Sequence, residues 1–170
     1  MNATISHEIV TFPQPSMSLE ALFKYYQKEF RFSPKEVATI MGAHNLGGAS
    51  IGNAGYQGTW KPGYKNGVNL ALTMNNDYYG IMIDPNIQWE NIDASAKYGH
   101  GNLSKWQWEG LPKNSQNESF DYMMFNTDFY TFFNITVDSN GKATCRLNTA
   151  CGHQGTCGLL GESRTFLMTI

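Results

Sequence analysis

The sequence predicts a mainly α-helical domain with a long glycine-rich loop and room for a small β-hairpin. Three observations carry this reading. Two amphipathic helices follow one another between Ser18 and Gly48. From Gly47 to Gly67 the chain is glycine-rich and nearly uncharged, as a long loop would be. The polar stretch 86–120 holds Trp89, Trp106 and Trp108 in extended-looking runs that suit a hairpin.

Residues 1–17 read as irregular, with Pro13 and Pro15 as breakers. From Ser18 the pattern turns helical. Leu19, Leu22, Phe23, Tyr26 and Phe30 recur at i, i+3, i+4, i+7 and i+11, one face of a helix. Ser33-Pro34-Lys35-Glu36 starts a second helix, with Ser33 as N-cap, Pro34 at the first helical position and Glu36 completing a capping box. Its apolar face runs through Val37, Ile40 and Met41 to His44, and Gly47-Gly48 ends it. Tyr78, Tyr79, Ile81, Met82 and Ile83 suggest a short helix over 76–83. Residues 121–135 are densely aromatic and apolar around one charge, Asp128, and the tail carries cysteines and glycines.

Composition narrows the function classes. A chain of 170 residues makes one domain or a piece of a larger one. It is 41% hydrophobic and only 15% charged, which excludes disorder driven by charge excess. With a net charge of -2 and no basic stripe, nucleic acid is not an expected partner. No apolar run is long enough for a membrane-spanning helix. Aromatic residues reach 14%, which suits a thick core or a flat ring-shaped ligand. Cys145, Cys151 and Cys157 form an odd set that does not close fully into internal disulfides. Sequons begin at Asn2, Asn102, Asn117 and Asn134. Together with the clustered cysteines they favour an extracellular setting over a cytoplasmic or mitochondrial one. Met1 to Val10 lacks the basic and apolar regions of a signal peptide.

Four features could carry chemistry. His44 ends an apolar helix face, behind the small residues Gly42 and Ala43, which would let a bulky flat ligand approach the backbone. A neutral imidazole facing an apolar pocket suits a haem iron, although a helix of this kind more often holds a core histidine bonded to a carbonyl. Asp128 is a lone carboxylate among Met123, Met124, Phe125, Phe129, Phe132 and Phe133. There it needs a partner such as a metal-bound histidine, unless it lies exposed or in an Asx-turn. Trp60 closes the glycine-rich loop, as a ligand-side residue or as a staple to the core. Cys145, Cys151, His153 and Cys157 offer a zinc ligand set, or a disulfide with one cysteine to spare.

Taken together, these residues resemble the plant-type haem peroxidase superfamily. The run from Phe32 through Gly42-Ala43-His44-Asn45-Leu46-Gly47 is similar to its proximal-histidine helix, which ends G-A-H-T-L-G. Gly55-Tyr56-Gln57-Gly58-Thr59-Trp60 resembles the G-[FY]-E-G-P-W segment of the intracellular class, the cytochrome c peroxidase- and ascorbate peroxidase-like members. Its tryptophan follows the histidine by sixteen residues in the family and here. Asn76-Asp77-Tyr78-Tyr79 and the run from Tyr122 to Asp128 resemble two further segments, D-N-x-Y-[FY] and M-M-L-P-T-D. The resemblance covers about residues 10–135. It implies a proximal helical lobe over 1–135, with 136–170 an unmatched tail. It implies haem b bound through His44 as axial iron ligand, with Gly42, Ala43, Leu46 and Gly47 lining the cofactor. Asp128 would bond His44, and Trp60 would pack beneath the haem with its indole N–H on Asp128. The reaction implied is reduction of hydrogen peroxide with oxidation of an unidentified electron donor.

The departures set further expectations. The family's distal R-x-x-[FW]-H motif has no counterpart: before His44 stand only Arg31 and His7, in the wrong order and spacing. The chain therefore reads as a fragment, or a degenerate member, with a distal lobe missing. Asn45 replaces the hydroxyl residue that helps bind a cation in many members, and Asn53 replaces a basic residue common in ascorbate users. Two other readings stand beside this one, a non-enzymatic haem-binding module and a secreted, cysteine-stapled interaction domain.

Overall fold

The computed structural model describes residues 12–61, 64–65, 68–84, 86–99, 104–112, 122–133 and 135–145. The chain opens with α1 (Leu19–Phe30) and α2 (Pro34–Met41), followed by β1 (Gly48–Ala49), α3 (Ile51–Ala54), β2 (Gly58–Thr59), β3 (Tyr64–Lys65) and β4 (Val68–Asn69). Then come α4 (Asp77–Ile83), β5 (Ile87–Asp93), α5 (Ala94–Tyr98), β6 (Trp106–Pro112), β7 (Tyr122–Met124), α6 (Asn126–Phe129), β8 (Ile135–Val137) and β9 (Ala143–Cys145). Single 3₁₀ turns cover Gly42–Asn45 and Leu70–Leu72.

The first two helices form for the reasons their sequence states. Ser18 Oγ accepts the Ala21 N–H at 3.2 Å, and Arg31 takes a left-handed φ of 62° that closes α1. At α2 the capping box is complete. Glu36 N–H donates to Ser33 Oγ at 3.3 Å and Ser33 N–H donates to Glu36 Oε2 at 2.8 Å. Such a cap contributes about 1 kcal/mol. Val37 and Met41 are buried but Ile40 is exposed, so the apolar face is narrower than its sequence pattern.

The mainly α-helical expectation is overturned. A five-stranded mixed sheet in the order β1-β2-β7-β6-β5 runs through the chain, with two-stranded pairs β3–β4 and β8–β9 beside it. The polar tract expected to form a small hairpin instead supplies the long antiparallel pair of that sheet, in register from Ile87↔Pro112 to Asp93↔Trp106. Ile87, Trp89 and Asn91 alternate with exposed Gln88 and Glu90, the period of a strand with one covered face. Buried Gln107 and Glu109 made β6 look like surface. Gly110 is required by packing, because a Cβ there would lie 2.8 Å from both Ile87 Cγ2 and Trp89 Cζ3. The stretch expected to be a long loop from Gly47 to Gly67 carries β1, α3, β2 and β3.

Trp108, Met123, Met124, Phe129, Phe132 and Phe133 centre the core against Tyr78 and Met82 of α4. Phe129 is sealed inside, stacked on Trp108 at 4.2 Å and on Phe133 at 4.8 Å. Ile135 and Ala143 join that core, so the boundary expected after residue 135 falls inside β8. The backbone of Cys145 lies in β9. Cys151, His153, Cys157, His7 and the sequon asparagines Asn2, Asn102, Asn117 and Asn134 lie outside the described residues.

Candidate functional site

Sheet register assembles the site. Gly48 of β1 pairs with Thr59 of β2, and Thr59 pairs with Tyr122 of β7. His44 stands four residues before the first of these positions, Trp60 just after the second, and Phe125 three after the third. Three segments distant in sequence therefore meet at one end of the strands. The imidazole of His44 stacks on the Trp60 indole, with ring centroids 4.0 Å apart and planes 8° apart. Phe125 meets both rings edge-on, at 5.9 Å from His44 and 4.8 Å from Trp60.

Asp128 lies behind this stack and is 0% exposed. Its Oδ1 is 2.7 Å from His44 Nδ1 and accepts the Tyr78 hydroxyl at 2.6 Å. Its Oδ2 accepts the Phe125 N–H at 2.6 Å, which also caps α6. A carboxylate has only acceptors to offer, so neutral His44 carries its proton on Nδ1 and keeps its lone pair on Nε2. The His44 side chain remains 32% exposed. Burial pushes the Tyr78 phenol well above its ordinary range, helped by the Asp128 charge and hydrogen bond, so Tyr78 stays an O–H donor.

Burial alone would lower the His44 pKa, but the Asp128 charge and hydrogen bond outweigh it, and the group ends above its ordinary 6.5. A raised folded pKa means the native state holds the proton more tightly than the unfolded chain. The pair's contribution to stability is therefore fully present below about pH 6.5 and lost as pH rises through the folded value. Urea midpoints of the wild type and His44→Ala, measured from pH 5.5 to pH 9, should converge as pH rises. A gap that widens with pH would contradict the pair.

The other residues expected to line the cofactor stand on the turn around His44. The space beside Gly42 is taken by Tyr79. A Cβ there would lie 2.5 Å from Tyr79 Oη, whose hydroxyl donates to Ala38 O at 2.6 Å. Gly42→Ala should displace that tyrosine and cost about 1–3 kcal/mol, the usual range for overpacking, read as a fall in urea midpoint. Unchanged stability would mean the tyrosine yields freely. Ala43 and Leu46 are exposed on the turn. Gly47 takes a φ of 77° and donates its N–H to Ala71 O at 2.7 Å. The indole N–H of Trp60 is not among the donors to Asp128. Tyr78 holds the place expected for it, because β2 lays the indole flat on the imidazole instead of edge-on to the carboxylate.

Three residues were not singled out by sequence reasoning as site components. Tyr78 lay in a recognised segment, but nothing in its spacing said that its hydroxyl would reach Asp128. Asn45, marked only as a departure, is buried and ties the turn to the next loop. Its Nδ2 donates to Asn75 O at 2.6 Å and Thr73 O at 3.3 Å, and its Oδ1 accepts Tyr78 N–H at 3.3 Å. Lys61 gave no sequence signal and is fully buried.

Among the described residues there is no group of three or more His, Cys, Asp or Glu side chains placed to hold a metal ion. Among them, too, no helix is long and apolar enough to cross a membrane. No family model matches the chain. Over 68 residues it is 31% identical to the mitochondrial cytochrome c peroxidase of Yarrowia lipolytica (strain CLIB 122 / E 150). That match covers 39% of this chain and 18% of the yeast protein, so the similarity to a peroxidase is partial.

Proposed function

We propose that this chain carries the proximal side of a peroxidase-type haem site, in which His44 Nε2 would hold the iron of haem b. The observation that supports it most is the buried Asp128 carboxylate 2.7 Å from His44 Nδ1, with Trp60 stacked on the same ring. A ligating histidine generally gives its second N–H to a carboxylate, which fixes its tautomer and raises its basicity. The residues present fit the group. One imidazole nitrogen is spoken for, the ring is part-exposed, and exposed Leu46, Leu72 and Met74 lie on two segments that hydrogen bonds tie together. Gly47 N–H to Ala71 O and Asn45 Nδ2 to Met74 Sδ (3.7 Å) join those segments.

When bound, haem supplies the iron at which hydrogen peroxide is reduced and an electron donor oxidised. The chain's own residues set the ligand. Asp128 holds the Nδ1 proton and gives the imidazole part of its negative charge, which strengthens donation from Nε2. Tyr78 draws on the same Oδ1, so its hydroxyl takes a share of that charge and tempers the effect. Trp60 and Phe125 block ring rotation and keep water from the Nδ1 side. The partial similarity to cytochrome c peroxidase supports the same reading.

The test is a haem titration of residues 1–170. The wild type should give a saturable Soret band with the spectrum of a histidine-ligated iron. His44→Ala should lose that spectrum while its far-UV circular dichroism is kept. The same Soret position and spin state in both proteins would overturn the assignment.

A further inference from the structure

Lys61 follows Trp60 in the chain and is 0% exposed, a rare place for an ammonium. Burying such a charge is costly unless acceptors surround it. Its Nζ donates to Thr73 O and, at 3.2 Å, to Asn75 Oδ1. Asn75 is itself held, accepting Asp77 N–H at 3.0 Å and donating to Asp77 Oδ2 at 2.6 Å. Asn45, the residue after His44, grips the same two residues from the other side. The loop therefore receives one tether from the neighbour of each stacked ring. It leads directly into α4, whose Tyr78 bonds Asp128.

We propose that Lys61 is a positioning residue for the His44–Trp60 stack, its ammonium fixing the Trp60 backbone to the same 73–77 loop that Asn45 fixes to His44. A neutral side chain of similar length would fill the space but drop the tether. Burial lowers the Lys61 pKa and the Asp77 charge opposes that shift, as expected for a cation kept inside by oxygen acceptors. The role concerns the haem-free chain and holds whichever ligand His44 takes, so it stands or falls apart from the haem reading.

The experiment is nuclear magnetic resonance of residues 1–170 without haem. In the wild type the His44 ring protons facing Trp60 should be displaced upfield by the indole ring current. Lys61→Met should lose most of that displacement, while amide shifts along the β5–β6 pair stay in place. Asn75→Ala removes one acceptor from an exposed loop residue and should move the same protons in the same direction by less. Wild-type His44 ring shifts in a folded Lys61→Met protein would overturn the proposal. If Lys61→Met fails to fold, Asn75→Ala decides, and unmoved His44 ring protons in it would overturn the proposal equally.

Discussion

Asp128→Ala is expected to lower the free energy of unfolding by about 3–5 kcal/mol, the cost of removing one partner from a buried, hydrogen-bonded charge pair. The carboxylate is sealed from water and bonds three groups, the His44 ring, the Tyr78 hydroxyl and the Phe125 N–H. Truncation leaves the Tyr78 hydroxyl fully buried without its acceptor. Each such orphan costs about 1–3 kcal/mol, and the terms do not add fully because the groups share one network. Asp128→Asn keeps an acceptor and the side-chain shape, so it should cost distinctly less. Urea unfolding at pH 6, where the His44 pair contributes most, measures both variants. A loss below about 1 kcal/mol for Asp128→Ala, the net worth of one ordinary hydrogen bond, would mean the network is not formed.

The second large effect is electronic. A hydrogen bond to a charged group is worth about 1.5–3 kcal/mol. If that stabilisation falls mainly on the ferric form, it lowers the midpoint potential by about 65–130 mV, since a one-electron couple moves 59 mV per tenfold change. Asp128→Asn should raise the Fe(III)/Fe(II) midpoint of the haem-bound chain by that order. Sharing of Oδ1 with Tyr78 places the expectation toward the lower end. Spectroelectrochemical titration of the two proteins reads the shift, and a change under about 20 mV would be too small for a charge-assisted bond at this position.

The parts of this fold that were legible in sequence are those written locally. Ser33, Pro34 and Glu36 set α2 within four residues, and the apolar spacing of α1 does the same for that helix. The sheet was not legible because its pairings join distant segments. Its short strands β1 and β2 have two residues each, too few to show a period. In β6, Gln107 is buried for a reason found elsewhere in the chain: its amide bonds both the N–H and the carbonyl of Gln57. Glu109 is buried because Lys97 and the Tyr98 hydroxyl of α5 reach it. A polar residue satisfied from across the fold reads as surface in a sequence.

The site divides in the same way. His44, Trp60 and Asp128 are ambiguous one by one, and it is their places in segments that resemble the haem peroxidases that single them out. The structure brings the three together. What was not legible is the wiring between them. Tyr78 taking the bond expected of the Trp60 indole, and Lys61 buried beside it, depend on where two loops fold back. Gly42 reads as small in the sequence, but the close approach of the Tyr79 hydroxyl is visible only in the fold.

Resonance Raman spectroscopy of the ferrous, haem-bound chain reads an iron–histidine stretch, which reports both the ligand and the charge on it. The wild type should show that stretch. Asp128→Asn should move it to lower frequency as the imidazole loses anionic character, and His44→Ala should lack it. Absence of the stretch in the wild type, or the same stretch in all three proteins, would contradict the assignment of His44 as a carboxylate-polarised iron ligand.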